Sequence, residues 1–525
     1  MNKIIFFIIL LIVLVISAAF FFAGAAPDIN EEIVISIPYN EYIRNIDTNY
    51  YKLWLEEQTG LSIKFNIIYE TPSADYLRSM FASGYVTSDA FFSMFGGEDF
   101  YRWNNLIQEF GEKGYILPLN EYMDRSVYLN AIFDDFTDYD LRSLMTSPDG
   151  NIYYMPGFDP SLSERHYQVL WLNQNWLKSM NLSVPQTTDD LRNVLYAFKT
   201  GDPNGNGQQD EIPLAGSRNI QNEQIYNIII NAFVYNDPEN SHIFIENGSI
   251  RFAPMSDQWR EAMKYLNGLF SDGLIAPFSY EHNIVAGIVN SPYDILGGFT
   301  SRSVTDILFQ SNPDLINAYL HIAPLAGPDG VRNTTVRTPL PAPGGVITSS
   351  CRNPEAVFML FDLMLSEDAF LIGRYGEENV DWVRAGVTDT DFYGNRASVR
   401  VINQLLHNVQ NKHINESGPF FAYPGYADGV TFSAFDVNHE YANARAYRVY
   451  ERYKPDEYIS AAIFHNRPDI QALRLEIDTY TQESIKAFIT GAADPFDDKI
   501  WEMHLQKYMD LNIDDLIHSV KEVLP

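Results

Sequence analysis

At 525 residues the chain exceeds what one hydrophobic core organises, so two or three structural units are expected. Its 36 basic against 68 acidic residues give a net charge of −32, which argues against nucleic acid or an anionic membrane surface as partner. A hydrophobic content of 46% with 14% aromatic residues excludes a disordered chain and leaves rings free to stack on a ligand.

The chain opens with Met1-Asn-Lys3, an apolar run from Ile4 to Phe22, and the small residues Ala23-Gly-Ala25. That pattern predicts export, with cleavage near Ala26. The run approaches the length of a membrane span, so a retained anchor over 1–26 is the open alternative. The single cysteine, Cys351, permits no internal disulfide and reads as a small buried hydrophobe.

Beyond the leader, Ile33–Pro38 reads as a strand, Tyr50–Gln58 as a helix and Ser62–Tyr69 as a second strand. Asp75–Ala82 is predicted helical and Asp89–Met94 a short buried strand, an alternation that predicts parallel βαβ units. Ligands bind such sheets at the carboxyl ends of strands, which makes Tyr39 a candidate pocket residue. A second α/β region follows Ile152–Pro156, with a strand at Val169–Leu172.

Thr187-Thr-Asp-Asp190 is a capping-box-like start, and Leu191, Val194, Leu195 and Phe198 follow at helical spacing. The helix delivers the chain to Asp202-Pro-Asn-Gly-Asn-Gly-Gln-Gln-Asp-Glu211, where oxygen-bearing side chains alternate around a glycine. Such spacing suits a hard cation: Asp202, Asn204, Asn206 and Asp210 present side-chain oxygens and Gln208 its carbonyl. Pro213 occupies the place of an EF-hand's last ligand, and Glu211 is the substitute. Calcium is favoured over magnesium by the number and partial neutrality of the ligands. All come from one segment with no nucleophile beside them, so the expected role is structural. The alternative is an Asn/Gly-rich turn held by its own hydrogen bonds.

Trp259–Phe270 is a further amphipathic helix, while Tyr293–Gly298, Leu320–Pro324 and Pro341–Ile347 return to strand-like character. Asn353-Pro354 starts a helix with apolar face Val357, Leu360, Phe361 and Met364. From about Leu365 the chain is expected to be mostly helical, interrupted by Gly418–Gly425.

Taken in order, several segments resemble the family 1 extracellular solute-binding proteins of bacterial ABC importers, in particular the large oligosaccharide-binding branch that includes alginate-binding proteins. They include Glu57–Leu61, Met80–Gly84, Gly150–Pro156, Leu170–Leu177, Lys199–Pro213, Gly327–Gly330, Asn353–Ala356, Tyr375–Gly376 with Trp382, and Lys486–Gly491. The resemblance implies an α/β fold of two discontinuous lobes closing on a hinge, with a helix-rich C-terminal part. It assigns 27–157 plus 294–345 to the N-terminal lobe and 158–293 plus 346–525 to the C-terminal lobe. It also implies a structural Ca²⁺ on Asp202, Asn204, Asn206, Gln208, Asp210 and Glu211. The partners implied are a carbohydrate and ABC permease subunits, for a monomer in the periplasm or at the cell surface. The family's lipid-anchoring cysteine is absent, and Asn379 stands where it usually has glycine.

Sugars are held by aromatic faces and planar polar groups, so Tyr153, Tyr154, Tyr293, Phe420, Phe421 and Tyr423 are the ligand candidates, with Tyr39 and Arg302 beside them. A secreted carbohydrate-active enzyme is the competing class. G-x-S-x-G, H-E-x-x-H and P-loop motifs are all missing, and the expectation is a binding protein, serving a permease or a membrane sensor.

Overall fold

The computed structural model describes residues 32–70, 73–94, 100–136, 140–157, 168–217, 224–280, 285–289, 294–301, 318–335, 340–391, 395–403, 409–414, 420–427, 429–432 and 468–523. Its strands are β1 (Glu32–Pro38), β2 (Ser62–Ile68), β3 (Ala90–Phe92), β4 (Met155–Gly157), β5 (Val169–Asn173), β6 (Ile243–Glu246), β7 (Ser249–Phe252), β8 (Gly298–Ser301), β9 (Tyr319–Ile322), β10 (Ala342–Ile347), β11 (Trp382–Arg384), β12 (Val399–Val401) and β13 (Val430–Phe432).

The first sheet has the order β2-β1-β3-β10-β4. Strand β1 runs parallel to both β2 and β3, while β10 is antiparallel to β3 and β4. Ile33, Ile35 and Ile37 of β1 are buried, whereas β2 alternates exposed and buried residues, as befits an edge strand with one covered face. Helices Tyr50–Thr59, Ala74–Ala82, Phe100–Glu112 and Pro354–Met364 bury their apolar faces in this core. The last starts as expected, with Pro354 in its first turn and the Asn353 side chain accepting from the Ala356 amide. Asp362, 1% exposed, accepts from Ser126 Oγ at 2.6 Å and from the amides of Val127 and Leu129 at 2.9 and 3.0 Å. It thereby caps helix Tyr128–Asp135, whose own N-cap residue offers no side-chain bond.

The second sheet is β8-β5-β9, antiparallel throughout. Its core gathers helices Gln174–Ser179, Thr188–Thr200, Ile225–Ile230 and Asp257–Ser271. Helix Thr188–Thr200 carries the expected capping box between Thr187 and Asp190. Helix Pro468–Thr490 contributes Ile470 and Ile477 to the first core and Ile485, Phe488 and Ile489 to the second.

Pairing corrects the expected lobe boundaries over both late segments. Strands β8 and β9 join β5, so Gly298–Ser301 and Tyr319–Ile322 go with the second sheet, and helices of 354–375 pack largely on the first. Strand-like composition alone does not reveal which sheet a strand joins. The C-terminal part is also less helical than expected, because β11, β12 and β13 form a small sheet. The hairpin β6–β7, turning at Asn247-Gly248 with positive φ at both residues, carries an Asn-Gly signal that the sequence reading passed over. Asn379, the departure from the family's glycine, has φ +64°, a left-handed conformation that asparagine tolerates.

Candidate ligand cleft and cation loop

Strand directions fix where the two sheets face each other. Strands β1, β2, β3 and β4 all end, and β10 begins, at one edge of the first sheet. In the second, β8 and β9 end, and β5 begins, at one edge as well. The chain passes between these edges twice, from Gly157 toward Val169 and from Ile322 toward Ala342. Those edges are the candidate walls of a ligand cleft, since α/β sheets place ligands at the carboxyl ends of strands.

On the first wall, Tyr39 and Tyr69 follow directly on β1 and β2 and stack with ring centroids 5.0 Å apart. Ser93, one residue past β3, has φ +57°, and its amide donates to the Gly344 carbonyl at 2.7 Å. A non-glycine residue in that conformation is strained. On the second wall, Thr300 and Ser301 end β8 fully buried, and neither hydroxyl has a hydrogen-bond partner. Buried hydroxyls are ordinarily paired, so these two are exceptions to the usual pattern.

Of the aromatic candidates, Tyr39 alone stands open at this edge, 53% exposed. Tyr153, Tyr154, Phe420 and Phe421 are core side chains, at 4%, 1%, 1% and 7% exposure, a correction to the expectation that they meet the ligand. Phe420 meets Phe92 and Phe361 edge-on and packs where Gly344 and Gly345 leave no room for a Cβ. Tyr153 donates its hydroxyl to Asp149 at 2.6 Å, and that bond together with burial raises its pKa. Tyr423 is partly buried, its ring edge-on to Phe421 and its hydroxyl on the Leu365 carbonyl at 2.8 Å. Tyr293 and Arg302 lie outside the described residues. The composition that suggested these rings was real, but packing consumed most of it. Tyr69 was not among the candidates, although the rule that selected Tyr39, a ring at a strand's carboxyl end, applies to β2 equally.

The 202–211 loop lies at the other end of β8. Segment 212–215 pairs in parallel with 295–299, which seats the loop beside Asp294. Asp202 accepts from the amides of Asn206 and Gly207 at 3.0 and 2.9 Å, and Asn206 Oδ1 accepts from the Gln208 amide at 2.7 Å. Gly207 takes φ +77° at the sharp turn. Asn206 donates its amide to Asp210 at 3.2 Å. Both carboxylate oxygens of Glu211 are buried without a partner. Burial first, then the Asp210 and Asp202 charges, raise the Glu211 pKa. A carboxylate whose oxygens are buried near two others is the arrangement a bound cation compensates.

No cluster of three or more His, Cys, Asp or Glu side chains is poised for a metal among the described residues. The loop's donors are instead mixed, carboxylates with amide and backbone oxygens, which suits Ca²⁺ and not a transition metal. Asn204 links the loop to the sheet by donating to the Asp294 carbonyl at 3.2 Å. Asp294 is itself strained at φ +46°, its carboxylate receiving Asn173 at 3.0 Å and Trp176 Nε1 at 3.3 Å.

No family model matches the chain. Over 235 residues, 44% of the chain, it is 31% identical to the fructooligosaccharide ABC transporter substrate-binding protein FusA of Streptococcus pneumoniae. A 108-residue stretch is 29% identical to the polygalacturonan/rhamnogalacturonan-binding protein YtcQ of Bacillus subtilis. These matches span less than half of each curated relative, 42% of FusA and 20% of YtcQ. FusA in complex with kestose superposes with a TM-score of 0.71 at 22% identity, covering 94% of this chain and 98% of that one. The chain therefore has the fold of this substrate-binding protein. The same fold relates it to the alginate-binding protein AlgQ2, with a TM-score of 0.62 at 18% identity over 94% of this chain and 98% of that one. Among the described residues no helix is long and apolar enough to cross a membrane.

Proposed function

We propose that the protein binds an oligosaccharide between the facing sheet edges, outside the cytoplasm, and delivers it to the permease of an ABC importer. One observation carries this reading: sequence and structure comparisons, taken separately, both lead to FusA. The exposed rings of Tyr39 and Tyr69 at the carboxyl ends of β1 and β2 support it. Binding is favoured over catalysis because the relatives are transport proteins.

Loop 202–211 holds a structural Ca²⁺ through Asp202, Asn204, Asn206, Asp210, Glu211 and the Gln208 carbonyl. Its support is the orphaned Glu211 carboxylate, together with a solved FusA EF-hand mutant and an AlgQ2 structure described as without calcium ion. In this reading the strands β5, β8 and β9 belong to the second lobe and β1, β2, β3, β4 and β10 to the first.

The deciding experiment is a thermal-shift screen of the exported chain, with calcium present, against kestose, other fructooligosaccharides, and neutral and uronic oligosaccharides. An upward shift with one class, without its consumption by chromatography, supports the proposal. Silence across all classes, or turnover of any compound, overturns it.

A further inference from the structure

We propose that Tyr39 and Tyr69 form a stacking platform for the outer units of a bound oligosaccharide, so that this pair sets the chain length the protein prefers. The inference rests on the carbohydrate reading above.

The two rings are near-parallel, with an interplanar angle of 27°, and are 53% and 72% exposed. Two large rings stacked on each other in solvent gain little from burial, so a folding role does not account for them. Backbone hydrogen bonds fix the main chain that carries them. Tyr39 donates its amide to the Ile68 carbonyl at 2.8 Å, continuing the β1–β2 ladder to the residue beside Tyr69. Beyond it, the Tyr42 amide bonds Asn40 Oδ1 at 2.9 Å, and the Gln410 amide donates to the Tyr42 carbonyl at 2.9 Å. The platform is therefore pre-organised, and a ligand would not have to order it.

Position gives it a specific task. Strand β2 is one margin of the sheet and β4, where the chain crosses to the second sheet, is the other. Four strand intervals separate them, ~19 Å at ordinary strand spacing. A short sugar held near the crossings does not span that distance. A longer one laid along the wall reaches the tyrosines with its outer rings, whose C–H faces match the flat apolar surface while the phenol hydroxyls take sugar hydroxyls.

The test is calorimetric titration of the exported chain and its Tyr69→Ala, Tyr39→Ala and Tyr69→Phe variants. The titrants are fructo-, malto- and alginate oligosaccharides of graded length from two units upward. Tyr85→Ala, another exposed tyrosine, serves as the control for surface truncation. For the series the parent protein binds, affinity should rise with length. Tyr69→Ala and Tyr39→Ala should remove that rise, weakening the longest sugar roughly three- to tenfold while the shortest changes less than about twofold. Tyr69→Phe should keep most of the rise, and Tyr85→Ala all of it. Equal losses for short and long sugars, or no loss in either, overturn the platform while leaving the carbohydrate reading intact. A parent protein that binds none of the series overturns that reading and the platform with it.

Discussion

Glu211→Gln should change sign with calcium. In the metal-free protein both Glu211 oxygens are buried without donors, and burial plus the Asp210 and Asp202 charges disfavour its ionised form. Replacing the charge with a neutral amide should leave metal-free stability unchanged or raise it, on the order of 1 kcal/mol. With calcium the same substitution removes a ligand. At a free concentration one hundred times Kd, binding adds about 2.7 kcal/mol, and a cooperative unit of roughly 150–250 residues gains about 5–11 °C in Tm. The variant should lose most of that gain. The assay is differential scanning calorimetry of both proteins in EDTA and in excess calcium, with metal content measured directly. A parent melting curve indifferent to calcium, or a Glu211→Gln penalty of equal size in both conditions, refutes the reasoning.

In EDTA the pH dependence should follow the raised Glu211 pKa. Below the ordinary glutamate value of 4.5 both folded and unfolded states are protonated and no penalty exists. Above it the unfolded chain ionises first, so metal-free stability declines with rising pH until the folded carboxyl has also ionised; Tm measured between pH 4 and 8 should show this slope in the parent and less of it in Glu211→Gln. Asp362→Ala strips three backbone amides and one hydroxyl of their acceptor and should cost about 2–4 kcal/mol in urea unfolding. Gly327→Ala should abolish soluble expression or lower Tm severely, because the added Cβ would lie 1.9 Å from the Ala232 carbonyl oxygen; a parent-like melting curve would contradict the described packing.

Local elements were legible wherever a short-range rule governs them. The capping box at Thr187–Asp190, the Pro354 helix start and the alternation of β2 each formed where their residues dictated. The turn at 202–211 was readable for the same reason, since the residues that shape it are consecutive. What was not legible is set by partners distant in sequence. Nothing in Gly298–Ser301 announces pairing with β5 over a hundred residues earlier, and nothing in Phe420 distinguishes a ring wedged on Gly344 and Gly345 from one lining a cleft. Tyrosine and phenylalanine serve cores and sugars equally well. Strand direction, which needs the sheet, separates the two uses.

Helix Pro468–Thr490, about 34 Å long, is anchored at one end in the first core and at the other in the second. The two cores are thus tied to a common beam, and under the proposed function a closing motion would twist or flex that beam instead of swinging freely. Between the anchors, Thr481 Oγ1 donates to the Ile477 carbonyl at 2.8 Å and Ser484 Oγ to the Thr481 carbonyl at 2.8 Å. Side-chain bonds of this kind compete with the helical ladder and let it bend. The beam's compliant stretch therefore lies at 477–484, where the two cores would flex against each other.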